Sequence, residues 1–377
     1  RMVPLVPYIV GFDGDSGEEK EDTCDDAPIG GPARTCIQIA KFGRYERATR
    51  PYDISLAGAQ TDRGEYQDLM LVNNPLLDQM RNTTPVVGGD FQLMSEMYMR
   101  MLEMGVSFQR LLNKQLFAGN PANDSAGKGY EEFPGLDILI SAGDKIDAIN
   151  QVACPSLDSD IKDFGGDPVE LDGGLKIVNY LVYIMRILRS RAESMYFAPV
   201  TWKIVMRETL FYEITAVWPC AYMTYRCQVA GTDNNPTVMA NDQIAMRDGM
   251  RNGKYLTIDG TNYPVEFDSA IVEEETEPGW FRSDIYVIPM TMRGGRPVTY
   301  WEYFDYSRAM QDATLAGYGN TFSSDGGKWL WWRKPNSNTC IQMQALIRPR
   351  LRMLATQLAG RINNIAYNPL QHPYDPY

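Results

Sequence analysis

Histidine is almost missing from this chain: the single one, His372, stands between Gln371 and Pro373, a setting near the terminus where fixed catalytic geometry is hard to hold. Ser-His-Asp and Cys-His constellations and multi-histidine metal sites are thereby nearly excluded. The six cysteines, at 24, 36, 154, 220, 227 and 340, form no C-x-x-C pair and no metal-ligand spacing, and read as buried free thiols of a reducing compartment. No G-x-x-x-x-G-K-[ST] loop or G-x-G-x-x-G fingerprint occurs; "DGGLK" and "SDGGKW" are glycine turns without the surrounding pattern. No apolar run approaches the roughly 18 to 20 residues of a membrane span. The opening "MVPLVPYIVGF" carries two prolines and no convincing cleavage site, so no targeting signal is read. No cofactor is expected.

Positive charge is also in short supply. Against 48 acids stand 36 bases, a formal net charge of −12, which argues against a surface that grips nucleic acid by releasing counterions. A concave acidic face can still enclose nucleic acid without binding it. Acid pairs such as Glu131/Glu132 and the run Glu273 to Glu275 are expected on solvated faces, not in an acid/base site.

What is present suffices for one to three domains: 377 residues, 44% hydrophobic and 22% charged. Residues 11–31, "GFDGDSGEEKEDTCDDAPIGG", hold eight acids against one lysine, cannot nucleate a core and read as an extended arm. Residues 35–72 then give two alternating stretches, "TCIQIAKFGRYERA" and "EYQDLMLV", joined by the turn-like "GAQTDRG", and predict a long hairpin. Lys41, Arg44, Arg47 and Arg50 crowd its first half. Such a segment is too charged for a core strand and too apolar to hang in water, so it is expected to dock on something, as is the arm of opposite sign.

In "GDFQLMSEMYMRMLEMGVSFQRLLNKQLFAGN" apolar residues recur at threes and fours between Asp90 and Gly119, which predicts a helix over 90–117, roughly 42 Å long at 1.5 Å per residue. Its methionines read as core packing. "GGLKIVNYLVYIMRILRSRAESMYF" predicts a second helix with a stripe of Ile177, Val178, Leu181, Ile184, Met185, Leu188 and Ala192. "PVTWKIVMRETLFYEIT" reads as a strand to Met206 followed by helix. "KYLTIDGTNYPVEF" breaks like a hairpin at Asp259-Gly260, and "SDIYVIPMTM" reads as a buried strand. Between them residues 266–277 hold six acids and no base, expected as a solvated loop. "KWLWWR" and "TCIQMQALIR" flank "KPNSN" as a further hairpin, and "PRLRMLATQLAGRINNIAYNPL" reads as an Arg-rich returning strand with a glycine break.

This order of elements resembles the major capsid protein of tailed double-stranded DNA bacteriophages, the Hong Kong 97-type fold. The segments that carry the likeness are the hairpin before the long helix, "LLNKQLFAGNPAND", "FAPVTWKIVMRETLFYEIT", "DIYVIPM" and "LIRPRLRMLATQLAGRINNIAYNP". In element order it covers nearly the whole chain; each motif alone is weakly specific. The resemblance implies an α+β fold with an N-terminal arm at 1–34, an extended β-hairpin loop at 35–84 and a peripheral domain at 85–149 around the spine helix. It further implies an axial domain at 150–300, the peripheral domain's long hairpin at 301–348, and a strand at 349–377 returning toward the axial domain.

By the same resemblance, this is a structural subunit and not an enzyme, self-assembling into hexamers and pentamers of an icosahedral head shell around double-stranded DNA. Portal and decoration or cement proteins would be its partners, the virion its location, the host bacterial cytoplasm its place of assembly, and no membrane is involved. Lys41, Arg44, Arg47 and Arg50 would cross onto the neighbouring subunit, and Asn336 or Asn338 on the hairpin tip would be where some members weld a loop lysine. For a chain that starts at Arg1, the resemblance suggests removal of a scaffolding segment; a choice of numbering is the alternative. An encapsulin-like compartment for protein cargo uses the same fold, and a carboxylate-based enzyme is the reading from another class.

Overall fold

The structure, a computed structural model, describes residues 5–12, 33–39, 42–48, 52–53, 96–123, 131–143, 145–146, 149–150, 157–223, 241–307, 321–335 and 340–369. Strand β1 (Leu5–Phe12) pairs antiparallel with β2 (Ala33–Ile39), with Leu5 opposite Ile39. The expected hairpin of 35–72 is corrected here. Its first stretch is two strands with different partners, because β3 (Tyr45–Ala48) and β4 (Tyr52–Asp53) leave β2 and join the hairpin near residue 340; "EYQDLMLV" lies outside the described residues.

The expected spine helix is α1 (Glu96–Ala118), 23 residues long, with residues 90–95 outside the described residues. Met104, Phe108, Gln115 and Phe117 are its buried face, and Phe108 meets Trp329 edge-on at 5.0 Å. The helix ends at Gly119, which donates to the Gln115 carbonyl. Glu132 closes that end: its carboxylate accepts from Asn120 N (2.8 Å), Gln115 Nε2 (3.2 Å) and Asn123 Nδ2 (3.3 Å). The solvated face expected for Glu131/Glu132 is therefore wrong at Glu132, which is buried; the Asn120 N–H just past the helix and the Gln115 and Asn123 side-chain amides draw the carboxylate inward. A short turn of helix, α2 (Leu136–Leu139), and two short paired strands, β5 (Lys145–Ile146) and β6 (Ile149–Asn150), follow.

The second half builds one large sheet. Along the chain come β7 (Asp160–Asp163), α3 (Leu175–Ser194), β8 (Thr201–Met206), α4 (Glu208–Met223), α5 (Asn241–Gly253), β9 (Tyr255–Ile258) and β10 (Thr261–Phe267). Then follow β11 (Glu274–Glu277), β12 (Trp280–Met292), β13 (Arg296–Pro297) and β14 (Thr299–Tyr303). The last five are β15 (Thr321–Ser324), β16 (Trp329–Pro335), β17 (Cys340–Ile347), β18 (Pro349–Met353) and β19 (Gly360–Tyr367). The eight-stranded sheet has the order β7-β19-β12-β8-β10-β9, with β11 and β13 also on β12. A second sheet, β15-β16-β17-β3 with β4 on β17, forms near α1.

Helix α3 buries the seven apolar positions that its spacing marks. It lies on the large sheet where Gly360 opens β19: a Cβ there would meet Ile184 Cγ2 at 2.7 Å. Its exposed Arg186 and half-buried Arg189 both bond Asp259 in the β9-β10 turn, Arg186 at 2.7 Å. They hold that carboxyl down to about 2, the Arg186 hydrogen bond first. The turn has positive φ at Asp259 (49°) and Gly260 (77°), the backbone that an Asp-Gly hairpin supplies. The loop expected over 266–277 instead contains β11, all four residues exposed. The free-thiol expectation is corrected at Cys220 on α4, which is disulfide-bonded.

Candidate assembly surface

Four segments converge beside α1. Gly43 N donates to the Pro349 carbonyl at 2.9 Å, Phe304 N to the Arg348 carbonyl at 3.0 Å, and Arg44 N to the Glu131 carbonyl at 2.7 Å. Arginines at every second position of 348–352 thereby reach one place as Arg44 arrives from β3. Arg350 is buried, lies 4.2 Å over the Phe42 ring and bonds Glu302 Oε2 at 2.6 Å; Arg352 shares that carboxylate at 3.6 Å. Arg44 meets the exposed Glu46 at 3.3 Å. Arg348 packs over Phe304 and has no ion-pair partner among the described residues.

Among the described residues, the four arginines of this cluster share the carboxylates of Glu302 and Glu46. Arg44 Nε, Arg348 Nε and the Tyr306 hydroxyl are buried with no hydrogen-bond partner among the described residues. Burial pushes the Tyr306 phenol up to about 12, against the pull of the Arg348 and Arg44 charges. Phe304 is 38% exposed beside it.

Of the residues marked in the sequence, Lys41, Arg50, Asn336 and Asn338 lie outside the described residues. Arg44 and Arg47 are placed at the outer strand of the second sheet, Arg47 opposite Ala345 and exposed. The segment is nevertheless anchored in its own subunit: Tyr45, 1% exposed, packs edge-on against Phe133 at 5.9 Å. The expectation of a segment that must dock on something outside itself is corrected at Tyr45, which its own subunit buries. One inward ring satisfies the apolar side of β3, while Glu46, Arg47 and Ala48 face solvent. Arg348, Arg350 and Arg352 belong to the same cluster, and their alternate spacing was the available signal.

A cleft of ≈ 480 Å³ between α1, β14 and β16 is walled by Trp301, Tyr303 and Trp329 and edged by Gln109 and Asn113. The charged groups lining it, Asp325 and Lys328, pair with each other at 3.1 Å. Among the described residues no three His, Cys, Asp or Glu side chains are grouped to hold a metal, and no helix is long and apolar enough to cross a membrane.

No protein-family model matches the chain, and no curated protein matches it in sequence. Solved structures do. The cyanophage A-1(L) capsid asymmetric unit superposes with a TM-score of 0.50 at 10% identity, covering 96% of this chain and 88% of that one. This is the Hong Kong 97-type capsid fold. The capsid of a native GTA particle aligns at TM-score 0.41 and 12% identity over 96% of this chain and 85% of its own. The holo-SrpI encapsulin of Synechococcus elongatus PCC 7942 aligns at TM-score 0.40 and 8% identity, over 88% of this chain and 76% of its own. At 10% identity the cyanophage match is one of fold and not of sequence.

Proposed function

We propose that this chain is the major capsid protein of a tailed phage. Copies of it form hexamers and pentamers that close into an icosahedral shell around double-stranded DNA. The observation that carries the reading is the superposition over 96% of the chain on a cyanophage capsid subunit. Shell building needs heterologous contacts repeated around rings, and a strand edge bearing Arg47, unpaired among the described residues, beside a cluster of arginines is suited to such contact. The work of the chain in this reading is structural, its location the virion, its assembly in the host bacterial cytoplasm, and portal and decoration proteins are further partners. Lys41, Arg44, Arg47, Arg50, Asn336 and Asn338 are proposed to lie at contacts between subunits.

The test is to produce the protein in bacteria and examine it by sedimentation and electron microscopy. Closed megadalton shells are expected. A species that stays at the 42.6 kDa of one chain under all assembly conditions overturns the proposal, and shells packed with a protein cargo instead of DNA in the native source reassign it to a compartment.

A further inference from the structure

Strand β12 has opposite charge at its two ends. At its start, the β11 hairpin exposes Glu274, Glu275 and Glu277 with no base among them, and Val272 beside them is 47% exposed. Arg282 stands opposite Glu274 in register, yet its guanidinium turns to Gly166, where a Cβ would touch it at 2.6 Å. None of the three carboxylates has an ion-pair partner among the described residues. At the other end, the exposed turn after Met292 carries Arg293 and Arg296, again unpaired among the described residues. Arg293 N donates to the Phe197 carbonyl, which places Tyr196, 54% exposed, next to it.

The strand between them is 13 residues long, or about 40 Å at about 3.3 Å per residue. That is several times the screening length of about 8 Å at physiological salt. The two ends therefore cannot neutralise each other within one subunit, since a hydrogen-bonded strand in the middle of the sheet does not bend back on itself. A second copy brings a base turn to an acid hairpin without any such distortion. Tyr and Arg on one side, and a branched apolar residue framed by carboxylates on the other, also suit an aromatic and guanidinium anchor meeting a complementary patch.

We infer that β12 is the polar axis of a head-to-tail contact. The Arg293/Arg296 turn of one copy seats on the Glu274/Glu275/Glu277 hairpin of the next, with Tyr196 and Val272 between them. Because the two surfaces differ, the contact is heterologous and propagates around a ring. The inference rests on the shell reading and adds which faces meet and in which direction.

Charge exchange tests it. One variant carries Arg293→Glu and Arg296→Glu, a second Glu274→Lys, Glu275→Lys and Glu277→Lys, and a third all five changes. Each is checked for an unchanged melting temperature of the unassembled subunit, and a milder Arg293→Gln, Arg296→Gln variant stands in if reversal disturbs folding. At about 0.15 M salt each one-sided variant is expected to lose at least about tenfold in assembled particle, and the five-fold exchange to regain most of it. One-sided variants that assemble like the parent, or a five-fold exchange no better than its halves, overturn the inference while leaving the shell reading intact. A parent protein that never leaves the monomer overturns both.

Discussion

Tyr286 donates a hydrogen bond of 2.6 Å from its phenol to Asp137 Oδ1, 149 residues away in the chain. The pair belongs to a network that ties α2 to β12 and β19. Arg361 bonds Asp137 at 3.0 Å and Asp284 at 2.5 Å, Asn364 N donates to Asp284 at 2.9 Å, and the guanidinium lies 5.2 Å over the Tyr286 ring. Burial pushes Asp137 above its ordinary value, with Arg361 and the Tyr286 hydroxyl opposing. A carboxylate, a phenol and a guanidinium together resemble catalytic equipment, but here each is spent on its neighbour. Replacing Arg361 with Met is expected to cost the unassembled subunit about 3 to 5 kcal/mol, because two partly buried carboxylates lose their cation. Tyr286→Phe removes one hydrogen bond and costs about 1 kcal/mol. Urea unfolding near neutral pH reads both, and equal losses would contradict the arrangement.

Glu213 on α4 is buried, and burial first, then the Glu170 carboxylate, raises its carboxyl to about 7 against the pull of Arg251. A carboxyl whose folded value is raised holds its proton longer in the folded state, so stability is full at acid pH. It declines as pH climbs from about 4.5 toward about 7, levelling off above, for a total of about 1 to 3 kcal/mol. Glu213→Gln should flatten that decline and melt higher than the parent at about pH 8 but not at about pH 5. Parallel melting curves of the two proteins across this range would refute the assignment.

Gly360 is the position where β19 passes under α3, and Gly360→Val would drive side-chain atoms into Ile184 and Leu188. Overpacking of this kind costs about 1 to 3 kcal/mol. A calorimetric melt of the unassembled variant is expected to fall, and Ile184→Ala in the same chain to recover part of the loss by making room.

Tyr45 and Arg47 are two residues apart on β3 yet serve different ends. Tyr45→Ala should destabilise the single subunit by about 3 kcal/mol through the void it leaves against Phe133. Arg47→Ser, at an exposed edge, should leave the subunit's melting temperature within error and reduce the yield of particles. If Arg47→Ser lowers the subunit's own stability as much as Tyr45→Ala does, β3 is not an outward-facing edge.

Legibility in the sequence followed the range of the interactions. Helix α3 could be read residue by residue because its stripe repeats every three to four positions, and the β9-β10 turn because Asp-Gly is local chemistry. Segment 35–48 differs from a single hairpin arm because strand partners are chosen by distant residues: β2 pairs with β1 and β3 with β17, and alternation alone names neither. Glu132 shows the same limit in a polar group, since the N–H that draws it inward belongs to Asn120 across a loop. The basic cluster is half visible in the sequence, where the returning strand reads as Arg-rich, while the meeting of Arg348, Arg350 and Arg352 with Arg44 needs the fold.

Strand β19 lies between β7 and β12, and Thr356 just before it bonds the Leu157 carbonyl, 199 residues earlier in the chain. Contact order this high makes folding slow. Until residues 360–367 arrive, β7 and β12 keep bare flanks that fit the same strand of any other copy. Crowded synthesis therefore invites exchanged sheets, and the danger grows with the number of chains made side by side.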